Sequence, residues 1–193
     1  MLDIRFPENF FLTPSIFRRL MLAAVVMALV AALPGTTRAL DTSAKHAILI
    51  DFETGVALYS KNADELMPPA SMTKMMTVYL IFERLKEGRL SLDDEFRVSR
   101  KAWKKGGSKM FVEVGKRVRV EDLIRGIVVQ SGNDASIVIA QGLSGSEEAF
   151  AREMTIKALE LGMSNSEFRN ASGWPDPEHR TTARDLAILA EAT

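Results

Sequence analysis

Ser71 and Lys74 stand three residues apart in Ala70-Ser-Met-Thr-Lys74. On a helix that spacing puts a hydroxyl and an amine on one face, within reach of each other. A serine hydroxyl is a poor nucleophile until a neighbouring base takes its proton. A lysine is such a base only when uncharged, and burial and the positive end of a helix dipole both push its pKa down. The same helix end would aim free backbone N–H groups at a developing oxyanion, with the Ser71 amide the natural donor. Alone, the tetrapeptide is a weak signal, because Ser71 could simply cap the helix and Lys74 face solvent. Position adds weight: it is the one Ser-x-x-Lys after residue 39, and it opens the most apolar helix of that part of the chain.

Ser131-Gly132-Asn133 follows 60 residues after Ser71, in a break between two helical stretches. Read locally it is a turn whose Asn133 caps the next helix. Read with the first motif, it adds a hydroxyl to relay protons and an amide to bind a substrate backbone. Other hydrolytic chemistries are poorly supplied. The 193 residues contain no cysteine and only two histidines, His46 and His179, which suggest neither a metal site nor a Ser-His pair. No Gly-x-Ser-x-Gly surrounds Ser71. With 25 basic and 25 acidic side chains, the chain lacks the basic excess of a nucleic-acid binder. The local run of Arg97, Arg100, Lys101, Lys104, Lys105 and Lys109 reads as a solvated face.

The elements that must position these groups follow from periodicity. His46–Phe52 and Val56–Tyr59 alternate around Glu53-Thr54-Gly55 and predict a hairpin. Pro68-Pro69 breaks the pattern, and Ser71–Leu85 predicts a helix closed at Gly88 and apolar nearly all round, hence enclosed. Short strands are expected at Phe96–Val98 and Arg117–Val120, and helices at Glu121–Gln130 and Asp134–Leu143. A further helix is expected after a capping box at Ser144–Glu147, ending at Gly162, and a last one opens at Thr182. Strands followed by a block of helices predict an α+β domain, an antiparallel sheet packed against a helical cluster.

Before this domain, Arg18-Arg19 precede the apolar run Leu20–Leu33 and then Thr37-Arg38-Ala39. Charge, a short apolar run and small residues are the pattern of a secretory signal, so residues 1–39 are expected to be removed on export and the domain to span 40–193.

The motifs together resemble the low-molecular-mass penicillin-binding proteins, in particular the D-alanyl-D-alanine carboxypeptidases. The likeness runs through Pro69-Ala-Ser-Met-Thr-Lys74, Gly107-Ser-Lys-Met-Phe111, Val129-Gln-Ser-Gly-Asn-Asp-Ala135 and Thr182-Ala-Arg-Asp-Leu186. It implies a β-lactamase/transpeptidase-like fold and a serine hydrolase acting on peptidoglycan stem peptides that end in D-Ala-D-Ala. In that scheme Ser71 forms the acyl-enzyme, Lys74 is its base, Ser131 passes the proton to the leaving amine and Asn133 orients the peptide. No metal or cofactor is implied, β-lactams would acylate Ser71, and an exported, periplasmic protein is expected. Whether it touches the membrane through a C-terminal segment, as several relatives do, stays open. The family's third motif, Lys-Thr-Gly, does not occur before Thr193. The sequence is therefore expected to be truncated ahead of that strand, and the 193-residue chain by itself to be inactive or poorly folded. Two rivals remain: a serine β-lactamase using Glu167 of Glu167-Phe-Arg-Asn170, and a non-catalytic peptidoglycan-binding relative.

Overall fold

The computed structural model describes residues 14–31 and 42–193. These fall in two units that divide between Asp41 and Thr42. The first holds one helix, α1 (Pro14–Ala31), built on the apolar run. Among the described residues no helix is long and apolar enough to cross a membrane. The expected cleavage site at Thr37-Arg38-Ala39, and a mature start near Leu40, lie outside the described residues.

The second unit opens with the hairpin β1 (Ala47–Ile50) and β2 (Ala57–Lys61), antiparallel with Leu49 opposite Tyr59 and a bulge before Ile50. The turn closes as expected at Gly55, which donates to the Asp51 carbonyl, while the Asp51 carboxylate accepts from the Thr54 amide. A single 3-10 turn, Ala70–Met72, then feeds α2 (Thr73–Lys86). Gly88, with φ +69°, ends α2 in the left-handed conformation that a residue without Cβ adopts at least cost. The enclosure of α2 is less complete than its composition predicts. Met76, Leu80 and Ile81 are buried, whereas Met75 and Tyr79 are only partly covered and Phe82 is exposed, so one face stays open.

β3 (Glu95–Arg97) and β4 (Arg117–Arg119) pair antiparallel, flanking α3 (Arg100–Lys104), a short helix the sequence reading missed. Its cap is Ser99, whose hydroxyl accepts from the Ala102 amide. The two hairpins form separate ladders rather than one sheet. Helices α4 (Val120–Gln130), α5 (Asn133–Ser144), α6 (Glu147–Leu161) and α7 (Ala183–Ala192) complete the unit, giving the mixed antiparallel-sheet and helical architecture expected. One correction concerns α6. Its cap is Ser146, not Ser144, because Gly145 (φ +77°) terminates α5 and leaves Ser144 in the previous helix.

α5 is the central element, buried continuously from Asn133 to Ala140. On one side Ile137 and Val138 pack with Val78, Ile81, Leu123 and Ile127. On the other, Ala140 meets Met76, Phe150, Met154 and Leu189. A catalytic group at the start of α2 or α5 is thus anchored by the largest apolar burial in the fold.

Candidate active site

Ser71 lies in the 3-10 turn and is exposed, while Lys74, one helical turn on, is only 5% exposed. The Lys74 ammonium nitrogen donates to three oxygens: the Ser172 carbonyl at 2.7 Å, Asn133 Oδ1 at 2.9 Å and Ser71 Oγ at 3.3 Å. Burial lowers the Lys74 pKa to about 8, and no carboxylate among the described residues pairs with it. The three partners differ in kind. Two are carbonyl oxygens that can only accept, whereas the Ser71 hydroxyl can also donate. A neutral Lys74 has two hydrogens and one lone pair, so it keeps both carbonyl bonds and turns the lone pair to Ser71. The third and longest bond is the one that reverses.

Asn133 is held from both ends. Its Nδ2 donates to the Gly106 carbonyl at 2.9 Å and its backbone amide to the Ser108 carbonyl at 2.8 Å, so the loop after α3 wraps around it. Asn133 does not cap α5, since its Oδ1 faces Lys74 instead. Ser131 sits between α4 and α5 with φ +54° and lines the same cavity of about 290 Å³ as Ser71, Lys74 and Ile127. Its hydroxyl makes no hydrogen bond to Ser71 or Lys74. Ala70, next to Ser71, also has a left-handed backbone, at φ +48°. Such conformations cost non-glycine residues about 1 kcal/mol or more and persist where the surroundings impose them. Of the four residues singled out from the sequence, Ser71, Lys74 and Ser131 therefore line one cavity, and Asn133 joins them through its hydrogen bond to Lys74.

The sequence marks Ala171–Pro177 as a loop like that of the carboxypeptidases but gives it no role at the site, where it supplies the third Lys74 partner. Asn170 Oδ1 accepts from the backbone amides of Ser172, Gly173 and Trp174, and this clamp fixes the Ser172 carbonyl. Asn170 followed three residues later by glycine was the available signal. The loop is tied to the helix through His179, whose Nε2 lies 2.9 Å from Thr73 Oγ1 and whose Nδ1 meets Asn170 Nδ2 at 3.2 Å. His179 also packs edge-on against Phe168. Burial lowers its pKa to about 4, Asp176 opposing the shift and Arg169 adding to it. An unfolded histidine protonates near pH 6.5, so between about 4 and 6.5 the unfolded chain binds the extra proton and stability falls as pH falls. The thermal midpoint should therefore drop from pH 7 to pH 4.5 more steeply than in His179→Gln. Parallel curves for the two proteins would contradict this role of His179.

Glu167 is placed elsewhere. It pairs with Arg180 in an isolated bridge, and its carboxylate contacts Arg169 at 2.7 Å and Arg180 at 3.1 Å. It makes no contact with Ser71 or Lys74.

Comparison with known proteins identifies the family. The pattern of the D-alanyl-D-alanine carboxypeptidase family, peptidase S11, matches residues 34–193. The chain is 44% identical over 155 residues to the D-alanyl-D-alanine carboxypeptidase DacF of Bacillus subtilis, covering 80% of this chain and 40% of that protein. It is 39% identical over 163 residues to DacC of Escherichia coli, covering 81% and 41% respectively. Among solved structures, the D-alanyl-D-alanine carboxypeptidase DacD of Francisella tularensis superposes with a TM-score of 0.78 at 38% identity, over 86% of this chain and 41% of that one. The chain thus spans about 40% of the length of the curated relatives it matches. Matched by the family pattern over residues 34–193 and 44% identical to one of its members, this chain belongs to the D-alanyl-D-alanine carboxypeptidase family.

Proposed function

We propose that the protein is a serine-type D-Ala-D-Ala carboxypeptidase that removes the terminal D-alanine from peptidoglycan stem peptides. One observation carries the reading: the buried Lys74 amine lies 3.3 Å from the Ser71 hydroxyl, where burial lowers its pKa to about 8. Ser71 Oγ attacks the carbonyl of the penultimate D-alanine as Lys74 takes its proton. The Ser71 backbone amide is the donor available to the negative charge that develops on that carbonyl oxygen. Ser131, in the same cavity, passes a proton to the departing D-alanine nitrogen, and Asn133 holds the peptide backbone. Water then hydrolyses the Ser71 ester and restores the enzyme. A β-lactam ring offers the same carbonyl on a leaving nitrogen that stays tethered, so acylation by penicillins follows from the same groups. Metal and cofactor have no step in this scheme. Export to the periplasm is part of the proposal, supported by the pattern of residues 18–39. The lactamase alternative gains nothing from Glu167, whose carboxylate is already engaged by two guanidinium groups away from Ser71.

The test uses the complete protein. Incubation with a fluorescent penicillin should label one serine, and peptide mapping should find the adduct on Ser71. Diacetyl-Lys-D-Ala-D-Ala should release one D-alanine per peptide. Penicillin turnover faster than release of D-alanine would instead favour a lactamase, and absence of both reactions a binding protein.

A further inference from the structure

The basic run between β3 and β4 is not uniform. Lys101 is paired with Glu147 at 2.9 Å and Glu148 at 2.7 Å, which holds its pKa up. Lys105, one turn later, has no ion pair among the described residues. Its Nζ lies instead 4.1 Å from the centroid of the Trp174 indole. Lys105 is half-buried, and burial lowers its pKa although Glu147 acts in the opposite sense. A cation stripped of part of its water and given no carboxylate is unfavourable until an anion arrives.

The place of this pair matters. Lys105 directly precedes Gly106, whose carbonyl accepts from the Asn133 side chain. The six-membered ring of Trp174 lies against the same glycines. A Cβ on Gly106 would stand 3.5 Å from it, and one on Gly107 3.4 Å from it and 2.7 Å from Asn133 Nδ2. Trp174 in turn follows Gly173, which abuts the Ala70 carbonyl beside Ser71. Lys105 and Trp174 therefore form a rim beside Gly106 and Gly107, the glycines that adjoin Asn133. Three carboxylates on the surrounding elements are engaged elsewhere. Asp134 accepts from the amides of Met110, Val112 and Ala135, and Asp176 from that of Glu178. Glu147 is taken by Lys101.

We propose that Lys105, seated on Trp174, is a subsite for a carboxylate on the acyl-donor part of the peptide, upstream of the scissile bond. The inference rests on the carboxypeptidase reading above. In that reading the leaving D-alanine departs toward Ser131, so the chain held by Asn133 is the acyl donor, and its side chains pass along the Lys105–Trp174 rim. Donors with an acidic residue next to the acylated D-alanine are then preferred over neutral ones.

The experiment uses two peptides that differ by one charge, acetyl-Glu-D-Ala-D-Ala and acetyl-Gln-D-Ala-D-Ala, with the complete protein at low ionic strength. The leaving D-alanine carboxylate is common to both, so their ratio reports only the upstream group. Wild type should favour the Glu peptide by about fivefold in kcat/KM, the scale of a partly exposed ion pair, and added salt should weaken the preference. Lys105→Gln should bring the ratio near one and Lys105→Arg should keep it, while Lys104→Gln, on the exposed neighbour, should leave it as in wild type. Equal rates for the two peptides in wild type, or an unchanged ratio in Lys105→Gln, overturns the subsite while leaving the carboxypeptidase reading intact. If wild type hydrolyses neither peptide, the carboxypeptidase reading fails and the subsite with it.

Discussion

Lys74→Met in the complete protein is expected to slow acylation by penicillin on the order of 10³-fold, the scale of removing a positioned general base. Methionine keeps the length and apolar stem of the side chain, so α2 stays packed on α4 and α5. Two consequences for stability oppose each other. The substitution relieves the burial of a cation, but it strands Asn133 Oδ1 and the Ser172 carbonyl, at about 1–3 kcal/mol for each unsatisfied group. The folded protein should therefore persist, and the loss should be one of chemistry. Lys74→Arg should be equally slow, because a guanidinium stays charged at any working pH. The wild-type pH profile follows from the same physics. With the Lys74 pKa lowered to about 8, the neutral fraction is about a tenth at pH 7 and nine-tenths at pH 9. Acylation should rise with pH through about 8 and then level. A rate independent of pH from 6 to 10, or more than a tenth of the wild-type rate left in Lys74→Met, would show that another group takes the proton.

Gly173→Ala should be nearly as damaging, by a different route. Gly173 has φ +80°, and an added Cβ would overlap the Ala70 carbonyl and come within 2.9 Å of Thr73 Oγ1. The contacted atoms are mostly backbone, which cannot swing aside as a side-chain tip can. One strand of the contact is the turn carrying Ser71, and the other is the loop presenting the Ser172 carbonyl to Lys74. Relieving the overlap must separate the nucleophile from the group that positions its base. A loss of about 3 kcal/mol or more is expected, by analogy with overpacking and with strained φ. That corresponds to a thermal midpoint lower by roughly 10 °C for a domain of this size. Acylation should fall at least 100-fold even at temperatures where the variant is folded, since small displacements of reacting groups are that costly. A variant with wild-type acylation and an unshifted midpoint would mean that the two loops do not meet as described.

The outcome for Asn133 shows how a local reading and a tertiary one compete. As a sequence, Ser-Gly-Asn before a helix is a turn and a cap. In the fold, α5 starts at Asn133 without a side-chain cap, because the amide is drawn off by Lys74 on one side and Gly106 on the other. The misplaced cap at α6 has a similar origin. Ser144 and Ser146 both fit a cap pattern, and the choice fell to Gly145, which had to end α5. Thr182 had no such competitor, and its hydroxyl accepts from the Asp185 amide as the local pattern implies.

Short-range spacing alone determined the pairing of Ser71 with Lys74, the hairpin at Gly55 and the stops at Gly88 and Gly162, because helical pitch and left-handed backbone act over a few residues. Tertiary structure decided whether that lysine is a base. Its two fixing partners lie 59 and 98 residues away along the chain. Its lowered pKa comes from exclusion of water by helices packed around it, and exclusion is a property of the assembled core, absent from any segment read alone.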